Sequence, residues 1–161
     1  MLGGVQDRGR WLRDQLREIG AGPRLDVGCG SGRLLEAGDT GIDLDQERVT
    51  TARAQSRLVA VADAHALPFR DASFATAYAI RMLNDAGRID EVLREIHRVL
   101  SPGGRLLVYT RARPAEGDRL DPDNGATRLA AVFRSVRALA DPEEPGGVLF
   151  VAERELAPER Y

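Results

Sequence analysis

The stretch Leu25-Asp26-Val27-Gly28-Cys29-Gly30-Ser31-Gly32 decides the fold, because an apolar run with one carboxylate leads into three alternate glycines. Glycine has no Cβ, so it adopts positive φ and lets a ligand approach the backbone closely. Amides at the start of a following helix would face the polar groups of that ligand. We interpret the stretch as a buried strand that ends in a nucleotide-binding turn. A tight structural turn without a ligand is the alternative.

The glycine spacing separates two classes of nucleotide site. The dinucleotide fingerprint requires a small residue three positions after its second glycine, and Arg33 occupies that position here. The fingerprint also places a ribose-binding acid about 20 residues beyond the glycines, whereas Asp43 follows Gly32 by 11 residues. Both differences argue against a nicotinamide cofactor.

Composition excludes several classes of function. The chain has 161 residues, enough for one domain with a sizeable core. Its 23 basic residues are all arginines, so it supplies neither the lysine of a P-loop nor that of a pyridoxal Schiff base. The 25 acidic residues nearly balance them, and no run of like charge predicts a nucleic-acid surface. One cysteine and two separate histidines predict neither a disulfide nor a metal site.

No segment predicts a membrane anchor or an export signal. Apolar runs stay well short of the roughly 20 residues that span a bilayer. The N-terminus, MLGGVQDRGR, lacks the apolar segment of a signal peptide. We therefore expect a soluble cytoplasmic protein that does not bind membranes.

Helix and strand patterns alternate along the first 110 residues. Apolar residues at helical spacing predict helices at 8–19, 46–55 and 89–100, and short apolar runs predict strands at 24–27, 41–45, 57–62, 74–80 and 105–110. Residues 33–37 supply little more than one helical turn, which makes a compressed crossover between parallel strands. The alternation predicts an α/β fold, doubly wound around a mostly parallel sheet.

The last third of the chain supports two interpretations. Leu129, Val132, Phe133 and Val136 keep a helical period, which predicts a helix over 127–139. The break at 141–147 instead predicts a hairpin turn between strands at 133–140 and 148–154.

The quoted stretch resembles the first motif of the Rossmann-like, class I S-adenosylmethionine-dependent methyltransferases, which reads hydrophobic, acid, hydrophobic, Gly, x, Gly, x, Gly. Later segments resemble successive motifs of that family in the right order, at 41–45, 62–69 and 95–105. The resemblance covers residues 24–110 and implies S-adenosylmethionine as the cofactor. It also favours the antiparallel hairpin at the C-terminal end.

The resemblance further implies one methyltransferase domain over 1–161. Its parts would be an N-terminal helix at 1–22, a cofactor-binding core at 23–110 and a C-terminal part at 111–161. No metal is implied.

The resemblance gives roles to residues that match the family's motifs. Five residues of the first motif would hold the methionine part of the cofactor: Asp26, Gly28, Cys29, Gly30 and Gly32. The Ile80 carbonyl would bind its ammonium group. Asp43 would accept hydrogen bonds from both ribose hydroxyls, since a carboxylate offers two acceptor oxygens. Asp63 and the Ala64 amide would bind the adenine edge, and the purine would lie between Leu44 and Leu67.

Two segments depart from the family pattern. Phe74-Ala75 stands where the family usually has Phe-Asp at the start of the fourth strand. Asn84-Asp85 stands where many members carry paired histidines, so a convenient general base is missing. Asp85 could replace that base or simply be an acid at a helix N-terminus. No catalytic residue is assigned.

The expected function is methyl transfer from S-adenosylmethionine to a small-molecule acceptor. A non-catalytic cofactor-binding or scaffold subunit is one alternative, and an NAD-dependent oxidoreductase is another. The carboxyl end of the predicted fifth strand carries Tyr109, and Arg111 and Arg113 lie just beyond it. The two guanidinium groups could bind an anionic acceptor. Because the chain has no lid-sized insertion, either the acceptor is bulky or the second subunit of a homodimer completes the pocket.

Overall fold

A computed structural model of the chain describes residues 9–84, 86–112 and 117–159. Helices and strands alternate within these ranges. The helices are α1 (Arg10–Ile19), α2 (Gln46–Ala52), α3 (Ile89–Val99) and α4 (Gly125–Ala130), with a 3₁₀ turn at Met82–Asn84. The strands are β1 (Arg24–Val27), β2 (Thr40–Asp43), β3 (Val59–Val61), β4 (Phe74–Ile80), β5 (Leu100–Arg111), β6 (Ser135–Ala140) and β7 (Gly147–Glu153).

All seven of these strands form one sheet in the order β3-β2-β1-β4-β5-β7-β6. The first five strands are parallel to one another, and β7 is antiparallel to both β5 and β6. The predicted α/β class and mostly parallel sheet are therefore confirmed. The C-terminal ambiguity resolves as the short helix α4, which ends at Ala130, followed by the β6–β7 hairpin, in which Val136 pairs with Ala152 despite its helical spacing.

Both faces of the sheet are covered by helices. The apolar side chains of α3, among them Val92, Leu93 and Ile96, are fully buried in the main core on one face. On the other face, Leu12 and Leu16 of α1 pack with residues of β4, β5 and β7. Helix α1 begins at Arg10, and its predicted start at residue 8 lies outside the described residues. No helix in the described ranges has the length and apolar character needed to cross a bilayer.

The predicted helical turn at 33–37 is wrong. The whole connection from β1 to β2 consists of turns and extended residues. Gly38, at φ +91°, redirects the chain six residues after Gly32, so the five residues between these glycines offer little more than one helical turn. Leu35 takes over the packing and joins Val49 and Ala52 of α2 in a small buried cluster.

Other element bounds differ from the sequence-based ranges for local reasons. Strand β2 ends at Asp43 because the Asp45 carboxylate already accepts hydrogen bonds from the first turn of α2. Strand β5 starts early, at Leu100, and residues 101–104 bulge outward because Phe74 pairs with Leu100 while Thr76 pairs with Arg105.

Candidate cofactor and active site

A cavity of about 340 Å³ opens at the carboxyl ends of β1 and β4. The chain builds β2 and β3 on one side of β1, then β4 and β5 on the other, so this is the switch point of the sheet. Ligands of open α/β sheets bind at such a point. Five residues predicted to bind the cofactor line the cavity: Asp26, Gly28, Cys29, Gly30 and Ile80.

The three glycines of the loop all have positive φ, but they serve different ends. A Cβ on Gly28 would lie 2.7 Å from the Cβ of Met82, and one on Gly32 would lie 3.0 Å from the Cα of Ala52. A Cβ on Gly30 would meet no atom within 4 Å. Gly28 and Gly32 thus allow close packing inside the protein, whereas Gly30 leaves open space beside the loop.

Most amides of the glycine loop already have partners within the protein. The amides of Gly28 and Cys29 both donate to the Ile42 carbonyl, at 2.9 and 2.8 Å. The Gly30 amide donates to the Asp43 carboxylate at 2.9 Å, and the Gly32 amide donates to the Cys29 carbonyl at 3.0 Å. Since no helix follows the loop, the expectation that helix amides face the ligand is wrong.

Asp26 is a buried carboxylate without a hydrogen-bonding partner in the described ranges. Its side chain lines the cavity, and the residue is 3% exposed. Burial raises the pKa of Asp26 well above its ordinary value, and the carboxylates of Asp39 and Asp43 raise it further. A buried charge without a partner is costly, so this position is suited to a cationic ligand group.

Asp43 lies at the end of β2 with both carboxylate oxygens accepting a backbone amide. One oxygen accepts from Gly30 and the other from Asp45, each at 2.9 Å. Each oxygen keeps a second acceptor position, so the carboxylate is held in place and can still bind two hydroxyls. The adjacent Leu44 is 69% exposed and presents a free apolar surface.

The loop after β3 carries the predicted adenine residues. One oxygen of Asp63 accepts from the amide and from Nδ1 of His65, at 2.9 and 2.6 Å, and these bonds lower the pKa of Asp63. The other ring nitrogen of His65 donates to the Gly87 carbonyl at 2.9 Å, a contact that, with Asp63, raises the pKa of His65. Both neighbours of the ring are acceptors, which favours the protonated ring, and through them His65 joins the loop after β3 to the segment that contains Gly87.

Ala64 and Leu67 differ in what they offer a purine. Ala64 is buried, and its amide donates no hydrogen bond to the described residues. Leu67 is 4% exposed and belongs to the main core. The prediction that Leu67 forms one side of a purine sandwich is therefore not supported, because its side chain is used in the core.

A family model described as a methyltransferase domain matches residues 25–108, more than half of the chain. The chain belongs to the methyltransferase domain family. Its architecture and first motif are those of the class I, S-adenosylmethionine-dependent members, as the resemblance implied.

Similar proteins agree with this membership. The chain is 38% identical over 140 residues to a 27-O-demethylrifamycin SV methyltransferase of Amycolatopsis mediterranei, covering 77% of this chain and 51% of that protein. It spans about half or less of the length of the known relatives that it matches.

Solved structures show the same fold at lower identity. A SAM-dependent methyltransferase from Thermotoga maritima has a TM-score of 0.72 at 17% identity, covering 89% of this chain and 88% of that one. The 4+2 cyclase SpnF has a TM-score of 0.69 at 23% identity, covering 91% and 82%.

The cavity of this chain fits the family's cofactor, S-adenosylmethionine, on three observations. Asp26 is a buried carboxylate in need of a cationic group, Asp43 is a fixed acceptor at the carboxyl end of β2, and Gly30 leaves open space beside the loop. Cys29 contributes a small side chain that packs against Gly41, and burial raises the pKa of its thiol to about 12.

The structure adds two arginines that the sequence did not assign to the site. Arg33 and Arg48 both line the cavity. Arg48 lies in the first turn of α2 and pairs with Asp45 at 3.6 Å. Arg48 follows Asp43, the acid at the end of β2, by five residues. Because the first turn of a helix after a parallel strand faces the carboxyl edge of the sheet, this spacing could have placed Arg48 at the site.

Glu95 and Arg98 of α3 hold the segment after β3 that contains Leu67 and Phe69. Arg98 donates to the carbonyls of Leu67 and Phe69, at 2.9 and 2.8 Å, and Glu95 accepts from the Leu67 amide at 2.7 Å. Glu95 and Arg98 also pair with each other at 2.8 Å. Both belong to the matched segment 95–105, for which the sequence suggested no role.

The predicted acceptor rim is paired internally. The Tyr109 hydroxyl donates to Asp141 at 2.5 Å, and Arg111 contacts Glu144 at 2.5 Å. Arg81, which follows β4, contacts the same Glu144 at 2.9 Å. The predicted anion-binding role of Arg111 therefore competes with an internal carboxylate. Arg113 and Asp85, the other candidates on this side, lie outside the described residues.

Proposed function

We propose that the protein transfers the methyl group of S-adenosylmethionine to a small-molecule acceptor. The observation that carries this proposal is the unpartnered, buried carboxylate of Asp26 in a cavity at the switch point of the sheet. A ligand with a cationic group and a ribose would satisfy Asp26 and Asp43 together.

The matched residues would divide the cofactor between them. Asp26 and the Ile80 carbonyl would take its ammonium group, and Asp43 its two ribose hydroxyls. Asp63 has a second carboxylate oxygen for the adenine amino group, and the Ala64 amide would donate to a ring nitrogen. Leu44 would cover one face of the purine.

When bound, the cofactor supplies a methyl group that its sulfonium already activates. The chain's own task is then to align the acceptor atom with that methyl group and to exclude water, which accounts for large rate enhancements without a metal.

The small-molecule acceptor is supported by the rifamycin methyltransferase relative. Glu144 contacts both Arg81 and Arg111, and Asp141 of the same turn supplies a second negative charge. The two arginines and two acids balance, which favours an uncharged acceptor. The proposal also includes a single domain, a cytoplasmic location and a homodimer. Cell fractionation would test the location, and light scattering would test the dimer.

The proposal is tested by binding and by turnover. S-adenosylhomocysteine at about 100 times its Kd should add about 2.7 kcal/mol to the free energy of unfolding. Methyl transfer from labelled S-adenosylmethionine to a panel of hydroxylated small molecules is the second readout. This readout is necessary because the fold also occurs in a cyclase.

Matched variants sharpen the test. Asp43→Ala should weaken S-adenosylhomocysteine binding about tenfold, since two ribose hydroxyls lose their acceptor. Asp45→Ala, on an acid outside the ribose site, is the control. A thermal shift with NAD and none with S-adenosylhomocysteine would overturn the proposal. Binding without transfer to any acceptor would favour the non-catalytic subunit instead.

A further inference from the structure

Arg33 lies in the cofactor cavity without a partner. Its side chain lines the cavity, and it makes no hydrogen bond or ion pair with any residue in the described ranges. The other arginine that lines the cavity, Arg48, pairs with Asp45. A second cavity of about 90 Å³ adjoins Arg33, and there the guanidinium groups of Arg17 and Arg24 are both held by Glu36. Arg33 is thus a cation whose position is explained by no internal contact.

The methionine end of the cofactor carries a carboxylate as well as an ammonium group, and most amides of the glycine loop are not free to bind that carboxylate. The amides of Gly28, Cys29, Gly30 and Gly32 are already bonded inside the protein. No helix begins within residues 33–39, so the glycine loop does not open directly into a helix N-terminus.

The nearby acids make the need for a cation stronger. Asp26, Asp39 and Asp43 lie close enough to one another that the latter two raise the pKa of Asp26. Asp39 is compensated by Arg24 at 2.9 Å, whereas Asp26 and Asp43 contact no basic side chain in the described ranges. A second negative group entering this cavity would be repelled unless a cation accompanies it.

We propose that Arg33 binds the carboxylate of the cofactor's methionine moiety, so that Arg33 and Asp26 together recognise an amino acid zwitterion. The two side chains share one cavity and each lacks a partner, which is the arrangement that a ligand with both charges would complete. Arg33 can contact a carboxylate through two parallel N–H groups. This inference rests on the proposed function, because it concerns the same cofactor.

The test is calorimetric binding of three probes to purified variants. S-adenosylmethionine carries both charged groups, its decarboxylated form lacks only the carboxylate, and 5′-methylthioadenosine lacks the whole amino acid part. Arg33→Ala should weaken S-adenosylmethionine binding about tenfold, as expected for a lost hydrogen bond to a charged group. Binding of the decarboxylated form should change less than about twofold, because the missing contact is already absent.

Three further variants separate charge from structure. Arg33→Lys should recover part of the affinity, since it keeps the charge and loses the bidentate geometry. Arg17→Ala, on a paired arginine that does not line this cavity, should leave all three affinities nearly unchanged. Asp26→Asn should weaken both probes that carry the ammonium group and spare 5′-methylthioadenosine. Because Arg33 is exposed, its variants should melt at the wild-type temperature without ligand.

Equal losses for S-adenosylmethionine and its decarboxylated form in Arg33→Ala would overturn the inference, and so would no loss for either. In both cases the wild type still binds S-adenosylmethionine, so the proposed function survives. If the wild type binds none of the three probes, the proposed function itself is wrong.

Discussion

Asp26 is the residue at which binding and stability conflict. Its carboxylate is buried beside two other acids, and burial raises its pKa well above the value of an unfolded chain. The native state therefore holds this proton more tightly than the unfolded state does. In the pH range between those two pKa values, the native protein loses stability as the pH rises, and above the native pKa that loss is complete.

Replacing Asp26 by Asn should remove this penalty. We expect Asp26→Asn to melt at a higher temperature than the wild type at pH 8 without ligand, with a difference that shrinks as the pH falls. Thermal unfolding at several pH values between 5 and 8 measures this difference in melting temperature. Asp45→Asn, on an exposed acid that caps α2, should show no such gain. A lower stability of Asp26→Asn at pH 8 would mean that the carboxylate has a stabilising partner after all.

The connection between β1 and β2 is the element that departs most from expectation. Where a crossover helix would lie, Arg24 and Asp39 form a pair whose side chains are 12% and 6% exposed. Asp39 accepts four hydrogen bonds, two from Arg24, one from the Glu36 amide and one from the Tyr78 hydroxyl. This polar network holds the connection against the sheet in place of helix packing.

Removing one member of the network should therefore be costly. Asp39→Ala leaves the Arg24 guanidinium with only its contact to Glu36 and the Tyr78 hydroxyl with only the Leu34 carbonyl, and a broken buried pair typically costs about 3 kcal/mol. Urea unfolding should show this loss. Arg17→Ala, on the fully exposed partner of Glu36, should have no measurable effect. If the Asp39 variant unfolds at the wild-type urea concentration, the network does not support the connection.

The sequence predicted elements well where one periodic pattern sets both packing and local structure. Strands β1 and β4 match their predicted bounds, and the buried face of α3 follows its apolar spacing. It failed where contacts distant in the chain decide the outcome. Residues 33–37 were predicted to form a helical turn. In the structure, Arg24 and the Tyr78 hydroxyl donate to the Asp39 carboxylate, and the segment before Asp39 forms turns. The sequence indicates only that Arg33 does not fit the dinucleotide fingerprint. Its place at the cavity and its lack of a partner become evident only in the structure.

In the whole molecule, the turn between β6 and β7 joins distant parts of the carboxyl edge. Asp141 accepts from Tyr109 of β5, and Glu143 accepts from the amides of Gly9 and Trp11 at the start of α1. Glu144 holds Arg81 and Arg111 (the residue that ends β5). The three acids of one turn thus connect the start of α1 with the ends of β4 and β5.

The shared Glu144 contact predicts coupling between variants. Glu144→Gln and Arg111→Ala should each lower the free energy of unfolding by less than about 1 kcal/mol. The reason is that the side chains of Glu144, Arg111 and Arg81 are each about one third exposed or more. The double variant should lose no more than one single variant does, since both remove the same contact. Thermal unfolding measures this, with unchanged S-adenosylhomocysteine affinity as the control. Fully additive losses would show that Arg111 does not act through Glu144.

The position of β7 also sets the order in which the chain can be completed during synthesis. Strand β6 pairs only with β7 in the sheet, and β7 lies between β5 and β6 although it follows both in the chain. A nascent chain that has emerged through Ala140 has a β5 edge without its neighbour and a β6 segment with nowhere to attach. The translating ribosome therefore exposes an open, apolar sheet edge until residues 147–153 leave the exit tunnel.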